Sequence, residues 1–154
     1  MKEIKISSIK DVFNEQEVEY IKSAYSNFNL GDCHSNAATF ACEGIDNYDI
    51  EFVEGYIDGW MPHCFNKVTN YDGDVFYVDL TFELGHSEEE FSDILTKSEY
   101  SVFDEWNWVN IKDVFDEVGL AFIPHIGCYT DNGYVKAYQE TDKRGNKTPV
   151  FQYK

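Results

Sequence analysis

Apolar residues recur at helical spacing in the first quarter of the chain and at strand spacing in its middle. Val18, Ile21, Tyr25 and Phe28 share one helix face. Asn14 with Glu17 three residues on has the form of a reciprocal capping box, and Phe13 with Val18 that of the hydrophobic staple across it, so a helix is expected to begin there. Residues 1 to 13 before it are a short strand or lead-in. Asn29-Leu30-Gly31-Asp32 breaks the pattern, and a second helix is expected from Cys33 to about Cys42, stopped at Glu43-Gly44. Alternation then predicts strands over 50–56, 61–68 and 75–84, turned by Asp58-Gly59 and by Asn70-Tyr71-Asp72-Gly73.

Beyond Gly85, Ser87 and Glu90 repeat the capping-box spacing ahead of Phe91, Ile94 and Leu95, which predicts another short helix. The aromatic and acidic run Ser101 to Trp108 is expected as a loop over the sheet. Ile111, Val114, Phe115 and Val118 mark a further helix ending at Gly119. Strands are expected over 120–126, 134–139 and 150–153, with turns at Asp131-Asn132-Gly133 and at 142–146. Ile-Lys-Asp-Val-Phe occurs at 9–13 and again at 111–115, but the flanking residues do not match, so it is no repeat. Without a linker-like stretch, residues 1–154 are expected to form a single α+β domain, an antiparallel sheet with helices packed on one side.

Composition narrows the partners. Aromatic residues at 17% and hydrophobic ones at 43% argue for a packed core rather than disorder. A formal charge of -17 disfavours binding to a nucleic-acid backbone or an anionic membrane surface, since both repel it. The same charge admits an opposite role, imitation of nucleic acid on the basic surface of a partner protein. The first five residues lead into no apolar run, so no secretory signal is expected, and no stretch is apolar enough to span a membrane. The four cysteines, Cys33, Cys42, Cys64 and Cys128, form no CxxC pair; reduced thiols in a cytoplasmic protein are the expectation.

The chemistry concentrates between Gly31 and Phe82. A cysteine opens a helix in Gly31-Asp32-Cys33-His34-Ser35-Asn36-Ala37, a histidine sits in the strand Met61-Pro62-His63-Cys64-Phe65-Asn66, and an aspartate follows in Val78-Asp79-Leu80-Thr81. A thiol attacks a carbonyl as its thiolate, and the N-terminus of a helix favours that anion. His63 is placed to act as base and Asp79 to hold the imidazole by its other nitrogen. Strand alternation puts His63 with Phe65 and Lys67 on one face, and Tyr77 with Asp79 and Thr81 on a face expected to be the more polar one.

This order resembles the transglutaminase-like branch of the papain-like cysteine enzymes, over about a third of the chain. In that family a cysteine starts a helix, a histidine follows in a strand of the form His-Ala-Trp-Asn, and an aspartate precedes Pro-Thr. Here Cys64-Phe65 replaces the Ala-Trp pair and Leu80 replaces the proline. The resemblance implies a papain-like core, a Cys33-His63-Asp79 triad and a thioester intermediate, used to hydrolyse an amide or to pass its acyl group to an amine. The substrate would be a peptide, an isopeptide or a small amide, with no cofactor. The N–H of Cys33 is placed to stabilise an oxyanion, with Asn36 and Asn29 as candidates for a second donor or a positioning role. Trp60, Tyr56 and Asn66 are candidates for the substrate groove.

Each residue also has a plainer use. Free cysteine is often a buried small hydrophobe, and single His or Asp residues are more often structural than catalytic. Their joint occurrence in this order favours the triad. A zinc site from Cys33-His34 and His63-Cys64 is disfavoured, because neighbours on a strand point to opposite faces and no ligand spacing of the C-x₂-C type is present. His86, His125 and Cys128 fit no ligand spacing, and His125 after Pro124 is expected to be a core or edge residue. The competing function is a non-enzymatic acidic binder, with Glu88-Glu89-Glu90 and Asp104-Glu105 as its charge clusters.

Overall fold

The alternating middle of the chain folds as an antiparallel hairpin of β2 (Asp49–Ile57) and β3 (Met61–Thr69), in register from Asp49 opposite Thr69 to Ile57 opposite Met61. The turn between them takes Asp58 to φ 54° and Gly59 to φ 76°, left-handed conformations that Asp and Gly tolerate better than most residues. The computed structural model describes residues 2–109, 112, 134–141, 143–145 and 147–153. Ahead of the hairpin come β1 (Lys2–Ile4), a 3₁₀ turn at Ile9–Asp11, α1 (Glu15–Ala24) and α2 (Cys33–Glu43). After it come β4 (Val75–Val78), α3 (Leu80–Gly85), α4 (Glu88–Lys97) and β5 (Tyr100–Trp106).

The five strands form one antiparallel sheet in the order β1-β5-β2-β3-β4, which makes the described molecule α+β. β5 corrects the expectation of a loop over the sheet: it pairs with both β1 and β2. Its acidic residues are tolerated inside a sheet because they are satisfied sideways. Glu105 accepts the Tyr77 hydroxyl at 2.5 Å and lies 3.6 Å from the Lys67 ammonium. The β2–β5 ladder slips by one residue between Glu54 and Gly55. A Cβ at Gly55 would stand 2.2 Å from the Ser101 carbonyl oxygen, so only glycine lets the strands approach there.

The second correction concerns Asp79. The strand expected over 75–84 stops at Val78, and Leu80–Gly85 is helical. Asp79 ends the strand and caps that helix, its Oδ1 accepting the Phe82 N–H at 3.2 Å. Leu80 and Phe82 suit an alternating strand as well as a helix, and periodicity alone does not separate the two over so short a run. The other helices start as expected: α1 and α4 carry full capping boxes at Asn14/Glu17 and Ser87/Glu90, and α2 ends on Gly44 at φ 69°.

Each face of the sheet carries its own core. α1 and α2 bring Ile21, Ala37, Ala38 and Phe40 against Ile50, Phe52, Cys64, Val68 and Val78. The opposite face gathers Val53, Ile57, Phe65, Tyr77, Tyr100 and Val102, with Phe82 of α3 and Leu95 of α4 packed on them. Helical residues therefore reach both sides, where one side was expected. The face shared by Tyr77 and Asp79, expected to be the polar one, is this second core, and Asp79 is fully buried in it.

Farther along, β6 (Tyr134–Thr141) and β7 (Lys147–Tyr153) pair antiparallel, in keeping with the strands expected over 134–139 and 150–153. Of the helix expected at 111–119 only Lys112 is described, in helical conformation; the strand over 120–126 with His125, Cys128 and the turn at 131–133 lie outside the described residues. Among the described residues no helix is long and apolar enough to cross a membrane.

Candidate active site

Cys33 is the first residue of α2, and its position is fixed by two buried amides. Asn66 of β3 donates from Nδ2 to the Ala37 carbonyl at 2.9 Å, tying the second turn of α2 to the sheet. Asn36 donates from Nδ2 to the Asn29 carbonyl and to Thr81 Oγ1, both at 3.0 Å, tying the first turn to the preceding loop and to α3. Asp32, before the helix, makes no side-chain cap. The field of the helix N-terminus thus falls on a thiol rather than on a capping carboxylate.

β3 supplies the partners. Alternation sends His63 to the aromatic face and Cys64 to the face under α2. β4 pairs with β3 only from Asn66 onward, so the stretch 61–65 has no strand on that side. His63 and Cys64 both act on the Cys33 thiol, and His34 Nδ1 stands 3.6 Å from its sulfur. The hydrogen bond from Cys64, opposed by burial and then supported by His34, His63 and the charge of His63, brings the Cys33 thiol down to about 2.

Asp79 anchors the imidazole. Burial alone would push the proton off His63, but the charge and hydrogen bond of Asp79, followed by those of Cys33, outweigh it and lift His63 to about 10. His63 Nε2 is 2.7 Å from Asp79 Oδ2, which leaves Nδ1 as the ring nitrogen for sulfur. The same carboxylate oxygen accepts the Tyr100 hydroxyl at 2.7 Å. Burial, then the Asp79 charge, keeps that phenol protonated and donating. The half-buried Phe82 ring lies almost parallel to the imidazole, with centroids 4.5 Å apart and planes at 29°. These contacts favour the thiolate of Cys33 and the imidazolium of His63 in a largely dry site, where charge interactions are strong.

The remaining sequence-predicted residues fall in different places. Asn36 spends both amide hydrogens on its neighbours, which makes it a strut for the Cys33 turn rather than a free oxyanion donor. Asn29 is exposed and donates its amide to Asp32 Oδ2 at 3.2 Å. Asn66 is buried with both amide hydrogens on the carbonyls of Ala37 and Glu51, so it braces the helix instead of facing a groove. Trp60 stands in the β2–β3 turn, 74% exposed. Tyr56 is half-buried, its ring edge-on to Phe103.

Sequence reasoning missed Tyr100, Phe82, Thr81 and the roles of His34 and Cys64 in the site. Tyr100 lies 21 residues from Asp79 with no local signal linking them. His34 and Cys64 flank the two central residues in sequence, and adjacency to Cys33 and His63 was the available cue. Among the described residues no group of three or more His, Cys, Asp or Glu side chains is arranged to hold a metal ion. No protein-family model, characterised protein or solved structure matches this chain.

Proposed function

We propose that the protein is a thiol-dependent amide hydrolase or acyl transferase working through Cys33, His63 and Asp79, with an arrangement of the transglutaminase-like, papain-like kind. The observation that carries this is a thiol on the first residue of α2 acting together with a buried His63, whose far nitrogen rests 2.7 Å from the buried Asp79 carboxylate. The Cys33 sulfur attacks the amide carbonyl carbon, and the oxygen takes up the negative charge, facing the backbone N–H at the start of α2. Collapse breaks the C–N bond as the His63 imidazolium gives its proton to the leaving nitrogen. The acyl group is then a thioester on Cys33. Water or an amine, deprotonated by the now neutral His63, displaces the sulfur and returns it as thiolate. Asp79, with Tyr100, keeps the imidazole in the tautomer that points Nδ1 at sulfur throughout.

The test is selective alkylation of the full chain with iodoacetamide at neutral pH, followed by peptide mapping. Cys33 should be labelled at least about tenfold faster than Cys42, Cys64 or Cys128, because the thiolate is the reacting form. Equal rates at all four would remove the acyl-transfer mechanism and leave the acidic binder as the better account.

A further inference from the structure

We propose that Cys33 and Cys64 form a reversible disulfide under peroxide, a protective off-state of the same site. The proposal rests on Cys33 being the reactive thiolate, as in the function above, but not on any acyl substrate.

The register of α2 on β3 brings the two sulfurs together. Asn66 is bonded to the Ala37 carbonyl. Four residues back along α2 is Cys33, about 6 Å down the helix axis. Two residues back along β3, on the same face, is Cys64, about 7 Å down the strand. The Cys33 thiol is under the direct influence of Cys64, which sets helix and strand running the same way over these nearly equal steps, so the contact at Ala37 and Asn66 is followed by one at Cys33 and Cys64. Both side chains belong to the apolar cluster under α2. Each thiol acts on the other's proton affinity, lowering that of Cys33 and raising that of Cys64.

Exposure divides their roles. Cys33 is half-exposed and meets a small oxidant first, whereas Cys64 is 2% exposed. Cys33 thiolate attacks one oxygen of hydrogen peroxide, the O–O bond breaks, and hydroxide leaves; the sulfur has given two electrons and becomes the sulfenic acid. Cys64 sulfur then attacks the Cys33 sulfur. The S–S bond forms, the S–O bond breaks, and the hydroxyl leaves as water after gaining the proton of Cys64. A thiol reductant reverses the step by exchange at the accessible Cys33 sulfur. A buried resolving thiol in contact with the reactive one intercepts the sulfenic acid before a second peroxide drives it to the irreversible sulfinic acid.

The experiment treats the full-length protein with a small excess of hydrogen peroxide and maps peptides without reduction. The expected product is a Cys33 peptide joined to the Cys64 peptide, with Cys42 still alkylatable, and iodoacetamide labelling of Cys33 restored by dithiothreitol. In Cys64→Ala, and in the more conservative Cys64→Ser, recovery should fall to less than about a tenth, with sulfinic acid at Cys33. Sulfinic acid at Cys33 of the wild-type chain beside a free Cys64 overturns the proposal, as does a Cys33–Cys42 or Cys33–Cys128 link. The wild-type map decides even if both variants fail to fold. Fast alkylation of Cys33 without a disulfide sinks this inference and spares the acyl chemistry; a disulfide in a chain that forms no thioester with any amide does the reverse.

Discussion

The described helices of this protein begin in different ways. At α1 and α4 a polar side chain closes the start: Asn14 Oδ1 accepts the Glu17 N–H at 2.8 Å, and Ser87 Oγ accepts that of Glu90 at 3.1 Å, each with the glutamate reaching back. At α2 no side chain does so, and the residue standing in the first turn is Cys33. α3 lies between these cases, since Asp79 caps it with one oxygen and binds His63 and Tyr100 with the other. A capped start spends the electrostatic field of the helix on stability. An uncapped one leaves that field for whatever group is placed there, and here that group is the Cys33 thiol, whose proton affinity is strongly lowered.

The mixed start, at α3, is where damage should be greatest. Asp79→Ala leaves the buried His63 ring and the Tyr100 hydroxyl without an acceptor and uncaps α3, a loss of about 3 kcal/mol in unfolding by denaturant. Asp79→Asn keeps an oxygen for the Phe82 N–H and should lose clearly less. Similar losses in the two variants would mean that the charged carboxylate's contacts with His63 and Tyr100 carry the whole effect and the cap none of it. The Cys33 labelling rate should fall in both, because the imidazolium loses its counter-charge.

His63→Gln tests the uncapped start itself, keeping an amide donor for Asp79 while removing the cation beside sulfur. In the wild type the Cys33 thiol is held down to about 2 and His63 up to about 10, so thiolate and imidazolium coexist between those limits. A group whose proton affinity is lowered stays deprotonated as pH falls toward its shifted value. Cys33 labelling should therefore change less than about threefold between pH 5 and 8, where an ordinary thiol slows about tenfold per unit. In His63→Gln the rate at pH 6 should fall by a few-fold and begin to depend on pH, since the charge is gone while the hydrogen bonds from Cys64, the largest influence, and His34 remain. A wild-type rate rising tenfold per pH unit would mean that the helix start and His63 fail to hold the anion.

Tyr100→Phe removes one donor from a carboxylate oxygen that keeps another. A cost of about 1 kcal/mol in stability is expected, with a fall of a few-fold in Cys33 labelling at pH 8 as Asp79 and His63 loosen. Loss of stability with unchanged labelling would confine Tyr100 to the core.

How much of this was legible depended on range. The capped starts were readable because a capping box is complete within four residues, and the order Cys33, His63, Asp79 because each lies in a short run of recognisable pattern. Asp79 as the end of a strand and the cap of a helix was not, because Leu80 and Phe82 satisfy both periods and the decision is made by the N–H of Phe82 reaching back. β5 was hidden by its acidity: Glu105 is acceptable in a sheet only because Tyr77 and Lys67 arrive from other strands. The burial of His63 and Asp79 was hidden for the same reason. A histidine and an aspartate look like surface residues until Tyr100 and Phe82 close over them.

The smallest effect bears most directly on the contrast between helix starts. Asn14→Ala removes a side chain that accepts the Glu17 N–H, and a loss of about 1 kcal/mol is expected for such a cap. Asp32→Ala changes the corresponding residue of α2. Asp32 sits at φ -113° and ψ 35°, away from the extended geometry that aims a side chain at the first turn, and its carboxylate takes the exposed Asn29 amide instead. Its removal should cost less than about 0.5 kcal/mol, because an exposed hydrogen bond is readily replaced by water. Cys33 labelling should stay within about a factor of two of the wild type, since the thiolate is held by Cys64, His34 and His63. A loss at Asp32 as large as that at Asn14 would show that α2 is fastened at its start like the other helices. The thiolate would then owe its stability to its side-chain neighbours alone, with no share left for the end of the helix.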